Sequence, residues 1–170
     1  GNGEDESAGD CGADTKDCEG VSIGACYDGI GIEAKFNKPK GITVGGSNLY
    51  VVDADNCRVR RIDLNTAEVT TFAGNGRRDS SSDGIGTAAC LGNPERITTD
   101  GTNLYITDSN FHQVKKIAIG TAEVITLAGS GIEGNTDGTA DSAEFNNPSG
   151  LVSDGENLYI LDRIGINRME

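Results

Sequence analysis

One tripeptide constrains this chain more than any other feature. Asn48-Leu49-Tyr50 returns as Asn103-Leu104-Tyr105 and as Asn157-Leu158-Tyr159, at steps of 55 and 54 residues. All three prolines, Pro39, Pro94 and Pro148, keep the same steps. Thr66-Ala67-Glu68-Val69 reappears as Thr121-Ala122-Glu123-Val124, and Ala73-Gly74 as Ala128-Gly129. Asp28-Gly29, Asp83-Gly84 and Asp137-Gly138 each stand eight residues before Phe36, Leu91 and Phe145. A fixed period of this length means one supersecondary unit stacked on copies of itself, each covering its neighbour's apolar face.

Within the first unit the pattern predicts four short strands: a at 41–44, b at 49–52, c at 58–62 and d at 69–72. Polar or glycine-rich turns separate them, and a Gly/Ser/Asp loop over 74–90 crosses to the next unit. No segment holds a 3.6-residue period over helical length. Four antiparallel strands followed by a longer crossover is the layout of a β-propeller blade. The fold expected is therefore all-β, with about three four-stranded blades across residues 21–170.

The repeats resemble the NHL family of β-propellers. The matching residues in the first unit are Pro39-Lys40-Gly41-Ile42, Leu49-Tyr50-Val51-Val52-Asp53, Asn56 and Arg58-Val59. The second matches through Pro94, Ile97, Asp100-Gly101, Leu104-Tyr105-Ile106 and Asp108, and the third through Pro148-Ser149-Gly150-Leu151, Asp154-Gly155 and Leu158-Tyr159-Ile160. The absence of Trp argues against the tryptophan-aspartate propellers. Three departures stand out: Arg96 replaces the glycine of Pro-x-Gly, Phe111 takes the place of Asn56, and the third b–c turn is about two residues shorter. The resemblance implies a bacterial secreted or surface protein.

Charge narrows the partners. Asp and Glu number 27 against 14 Lys and Arg, a net charge of −13. Phosphate backbones need clustered positive charge, so nucleic acid is not an expected partner, and neither is an anionic membrane surface. No apolar run reaches the length of a membrane-spanning helix. Residues 1–20 carry seven acids and one Lys, with no Val, Ile, Leu or Phe, and read as an acidic flexible tail. The chain starts at Gly1 without an apolar leader, so the expectation is that any signal peptide has been removed.

Catalytic chemistry finds little support in the residues. His112 is the single histidine and falls in a b–c turn. Metal constellations of several histidines, such as those of the amidating lyases that some NHL-type propellers resemble, cannot be built from this chain alone. There is no G-x-S-x-G elbow and no phosphate-binding Gly loop ending in Lys-Ser/Thr. Calcium needs six or more converging oxygens. Asp53, Asp55 and Asn56, echoed by Asp108 and Asn110, supply about half that set, and such residues routinely satisfy turn backbone instead. Calcium therefore remains a weak candidate, and no cofactor is expected. Tyr50, Tyr105 and Tyr159 read as core residues whose hydroxyls reach a blade edge. Arg58, Arg60, Arg61, Lys115 and Lys116 form a basic stripe on strand c, expected to pair with acids of neighbouring loops.

Five cysteines, Cys11, Cys18, Cys26, Cys57 and Cys90, lack any C-x-x-C pair, which disfavours zinc and favours disulfides in an extracellular setting. Cys11 and Cys18 could close the tail. Cys57 in a b–c turn and Cys90 at the end of a crossover are the favoured pair, with Cys26 competing for Cys57.

The strand count leads to an assembly hypothesis. Val21, Ser22, Ile23 and Gly24 read as a strand d with no a, b or c before it. The third unit stops in strand c, at Ile166, Asn167, Arg168 and Met169. Known rings start at about four blades, so the lone d and the bare edge of c are expected to pair between chains. The result would be a homo-oligomeric ring or a helical fibre. The function expected is a non-catalytic extracellular module for self-assembly or for recognising other surface proteins or glycans. The alternatives are a calcium-dependent, lactonase-like hydrolase and a piece of a longer propeller.

Overall fold

A computed structural model describes residues 27–163 and 165–169. The acidic tail, Cys11, Cys18, Cys26 and the strand at Val21, Ser22, Ile23 and Gly24 lie outside the described residues. The described chain runs β1 (Gly29–Ile30), β2 (Pro39–Gly45), β3 (Asn48–Asp53), β4 (Arg58–Asp63) and β5 (Glu68–Ala73). Next come β6 (Ser81–Ser82), β7 (Gly84–Ile85), β8 (Cys90–Leu91), β9 (Pro94–Thr99), β10 (Asn103–Asp108), β11 (Gln113–Ala118) and β12 (Glu123–Ala128). The last are β13 (Gly150–Ser153), β14 (Leu158–Asp162) and β15 (Gly165–Met169).

Thirteen of these strands make three antiparallel blades, and β6 and β8 pair with each other. Blade 1 is ordered β1-β5-β4-β3-β2, blade 2 β7-β12-β11-β10-β9, and blade 3 β13-β14-β15. The a-to-d strands of blade 1 fall where the repeat places them, each one to three residues longer. The sequence reading missed the fifth strand. Asp28-Gly29 and Asp83-Gly84 do not merely cross between blades: Gly29 pairs with Val69 and Gly84 with Val124, laying a short strand along the outside of strand d. The crossover that leads into a blade thus also closes that blade's outer edge.

The alternation of side chains across each strand decides what the blades bury. Tyr50, Val52, Val59 and Phe72 form one face of blade 1, packed on Ile97, Leu104, Ile106, Ile117 and Val124 of blade 2. The next interface repeats this: Tyr105, Val114, Leu127 and Ala128 pack on Leu151, Leu158 and Ile160. The core is therefore two inter-blade seams. Ile97 is 7% exposed in its seam, whereas Ile42, the same position in blade 1, is 61% exposed.

The b–c turns are not plain polar turns. Ala54–Asn56 and Ser109–Phe111 are single turns of 3-10 helix, each ended by a left-handed residue, Cys57 (φ 49) and His112 (φ 53). Gly74 and Gly129, after strand d, pack so tightly on the carbonyls of Cys57 and His112 that a β-carbon would collide with them. In blade 3 Asp162 pairs with Gly165, so that turn is two residues shorter, as its sequence indicates.

Candidate functional site

The b–c turns and the ends of the crossovers meet on one face, through the same clasp in all three blades. The acid closing strand b accepts the backbone N–H of a crossover asparagine. Asn37 donates to Asp53 Oδ1 at 2.7 Å, Asn93 to Asp108 Oδ1 at 2.8 Å and Asn146 to Asp162 Oδ2 at 2.7 Å. The turn returns the bond: Asp55, Ser109 and Arg163 donate N–H to the carbonyls of Asn37, Asn93 and Asn146. All three acids are buried.

A second network, invisible to the strand-by-strand reading, joins this clasp to the blade's outer edge. Arg60 Nη1 donates to Asp53 Oδ2 at 3.0 Å and Nη2 to Asp28 Oδ1 at 2.5 Å. Asp28 also accepts from the backbone N–H and the hydroxyl of Thr71. The Arg60 guanidinium lies 5.1 Å from the centre of the Phe36 ring, a cation–π distance. Blade 2 repeats the plan with a shorter cation: Lys115 Nζ lies 3.0 Å from Asp83 Oδ1 and 2.6 Å from Thr126 Oγ1. The signal for this network was present in the recurring Asp28, Asp83 and Asp137. Of the basic stripe expected on strand c, Arg60 and Lys115 pair with the crossover acids Asp28 and Asp83, and both are buried.

The departures noted in the sequence have their consequence at Asp108. In blade 1, Asn56 Nδ2 donates to Asp53 Oδ2 at 2.8 Å beside Arg60. In blade 2, Phe111 replaces that amide, and Lys115 is hydrogen-bonded to Asp83 and Thr126 instead. Among the described residues Asp108 Oδ2 is left buried with no partner in hydrogen-bonding geometry. Burial pushes the Asp108 carboxyl up to about 6, against weaker pulls from the Asn93 N–H, Ser81 and Lys115. Burial raises Asp53 too, but Asn56, Asn37 and Arg60 all draw it back.

The remaining candidates fall into place around these clasps. Asp53 faces Arg60 and Asn56, whereas Asp55 faces away, 2.5 Å from Lys38 Nζ and 3.2 Å from Arg78 Nη2. Burial raises the Asp55 carboxyl, but Lys38 and Arg78 outweigh it and hold it below the usual range. The structure thus does not converge Asp53, Asp55 and Asn56 on one point, and among the described residues no group of three or more His, Cys, Asp or Glu could hold a metal ion. His112 accepts the Asn147 N–H at Nδ1, 3.2 Å away, tying the second b–c turn to blade 3. Tyr50 is buried against Phe72, with ring centroids 5.0 Å apart. The Tyr105 hydroxyl donates to Asp100 Oδ2 at 2.7 Å and that of Tyr159 to Asp154 Oδ2 at 3.0 Å. Cys90 overturns one expectation: it is a free, buried thiol hydrogen-bonded to the carbonyls of Arg77 and Ser80, and is not joined to Cys57. The crossover between them folds Cys90 inward, under residues 77–80. Ile166, Asn167, Arg168 and Met169 lie in β15, the last strand in the order of blade 3.

The chain is 34% identical over 104 residues to NHL repeat-containing protein 2 of Homo sapiens, a match covering 59% of this chain and 14% of that protein. Its repeats are NHL repeats. A second match is Protein SUPPRESSOR OF QUENCHING 1, chloroplastic, of Arabidopsis thaliana, 32% identical over 139 residues, covering 75% of this chain and 13% of that protein. Among solved structures, a Bacteroides thetaiotaomicron protein of unknown function superposes with a TM-score of 0.65 at 30% identity. That match covers 72% of this chain and 32% of the other. No protein-family model matches the chain. This NHL chain thus spans 13% and 14% of the two curated relatives. In the described part no helix is long and apolar enough to cross a membrane.

Proposed function

We propose that this NHL chain is a non-catalytic, extracellular binding and assembly module whose blades dock on further blades of the same kind. The observation that carries the reading is the pair of apolar faces outside the two seams. On blade 1, Ile42 and Val44 are 61% and 59% exposed. On blade 3, Val152 and Leu161 are 56% and 50% exposed. The first face corresponds to the one that blade 2 presents to blade 1; the second corresponds to the Tyr-bearing face that blade 1 presents to blade 2. They are opposite halves of one seam, and a second copy would bring them together head to tail. The edge of β15 would receive a strand in the same contact, Val21, Ser22, Ile23 and Gly24 being the segment proposed for it.

Recognition, rather than reaction, fits the turn face. Its acids are hydrogen-bonded into clasps and ion pairs, which leaves loops able to bind by hydrogen bonding and charge. Other surface proteins or glycans are the proposed ligand classes. An oxidising location would suit a disulfide at Cys57, for which Cys90, a free thiol, is not the partner. Its proposed partner is one of Cys11, Cys18 and Cys26. The test is sedimentation of the 170-residue chain over a wide dilution series, with I42D and L161D variants. A dilution-resistant oligomer that either substitution dissociates is expected. A monomer throughout would assign these faces to neighbouring blades of one longer polypeptide.

A further inference from the structure

We propose that the crossover over residues 81–93 is a pH-responsive latch, clasped to the second b–c turn while Asp108 carries a proton and loosened when Asp108 ionises. The geometry carries this. Asp108 is fully buried; one oxygen accepts the Asn93 N–H of the crossover, and the other meets no partner in hydrogen-bonding geometry among the described residues, the Ser81 hydroxyl pulling on the carboxylate only weakly. A neutral carboxyl carries no charge into this site, whereas the ionised form is favoured only by the Asn93 N–H and by weaker pulls from the Ser81 hydroxyl and Lys115. An ionised carboxyl leaves charge in a dry site, and the accessible remedy is to open the crossover to water.

Among the described residues, Lys115 from β11 is the one charge that bears on Asp108, and its ammonium lies on Asp83 and Thr126. From the crossover, Ser81 and Asn93 are neutral, and Glu95 turns to Lys40 and Asn93 Nδ2. From the turn, the Phe111 ring crowds Gly92 beside Asp108 Oδ1, and His112 faces Asn147. From blade 1, Arg58 packs on Gly76.

The sign follows from linkage. With the folded carboxyl raised to about 6, the folded chain keeps a proton that the unfolded chain has released. Stability is therefore full below the ordinary carboxylate range, falls as pH rises through about 6, and stays low above it. The experiment uses the intact chain, with melting and amide exchange followed from about pH 4 to about pH 7.5. Relative to Asp108→Asn, the parent should lose roughly 5 °C across that range. Its Asn93 amide should lose about tenfold protection relative to Asn37, the same position in blade 1. A double variant, F111N/K115R, supplies Asp108 with blade 1's partners and should flatten the profile as D108N does. The latch is overturned if D108N keeps the parent's slope, or if Asn93 and Asn37 change protection in parallel. Those amides are read in the parent, so a variant that fails to fold does not remove the test.

Discussion

Blades 1 and 2 carry nearly the same backbone and satisfy their central acid differently. Asp53 is embraced by an amide, a guanidinium and a backbone N–H, whereas of these three Asp108 keeps the backbone N–H, with weaker pulls from Ser81 and Lys115. The contrast separates two layers of the repeat. The backbone clasp recurs because the strand-b acid and the crossover asparagine meet in every blade. The side-chain network around it is local, and two substitutions, Phe111 for Asn56 and Lys115 for Arg60, undo it. A planar fork reaches two carboxylates at once, while an ammonium on a flexible stem settles on one acid and a hydroxyl.

The comparison breaks most sharply at the cations. Replacing Arg60 with Met should cost about 3–5 kcal/mol, because it leaves Asp53 buried and uncompensated. Lys115→Met should cost about half as much, since Asp83 is half exposed and can hydrate. Denaturant unfolding of both variants measures the difference, and equal losses would show that the two networks are equivalent. A smaller contrast lies on the blade faces. Ile97→Ala, inside a seam, should cost about 2–4 kcal/mol, while Ile42→Ala should cost no more than about 0.5 kcal/mol in an isolated chain. If Ile42→Ala proves as costly as Ile97→Ala, the first face is covered in solution, which favours the assembly reading.

The smallest effect concerns the tyrosines. Burial and the Asp100 carboxylate push the Tyr105 hydroxyl up to about 12. Alkaline spectrophotometric titration should therefore show a late tyrosine step that Tyr105→Phe removes. That substitution should cost about 1 kcal/mol, the worth of one partly exposed charge-assisted hydrogen bond. Loss of an early-titrating tyrosine instead would mean that the Asp100 contact is not kept in solution.

Much of this was legible in the repeat, and the reasons differ residue by residue. Tyr50, Tyr105 and Tyr159 could be placed in strand b because period-2 alternation and a 55-residue step are both visible in one dimension. The short third turn was legible from spacing alone. The outer strands Gly29–Ile30 and Gly84–Ile85 were not, because two residues carry no periodicity and their pairing partners lie about 40 residues away. Cys57 and Cys90 were paired on a correct premise, that turns and crossovers share a face. Which side of the crossover Cys90 would occupy depends on packing, and it turned inward.

The sequence by itself determined the architecture: a fixed period, three prolines in register and alternating apolar residues allow little but stacked four-stranded blades. It also marked the departures, Arg96 and Phe111, as places where the blades differ. Only the tertiary structure decided what those departures mean. Whether a buried acid is paired depends on side-chain reach across three strands and a crossover, distances that no linear spacing encodes. Arg60 and Lys115 look alike as positive charges on strand c; folded, one bridges two carboxylates and the other leaves Asp108 Oδ2 with no partner in hydrogen-bonding geometry among the described residues.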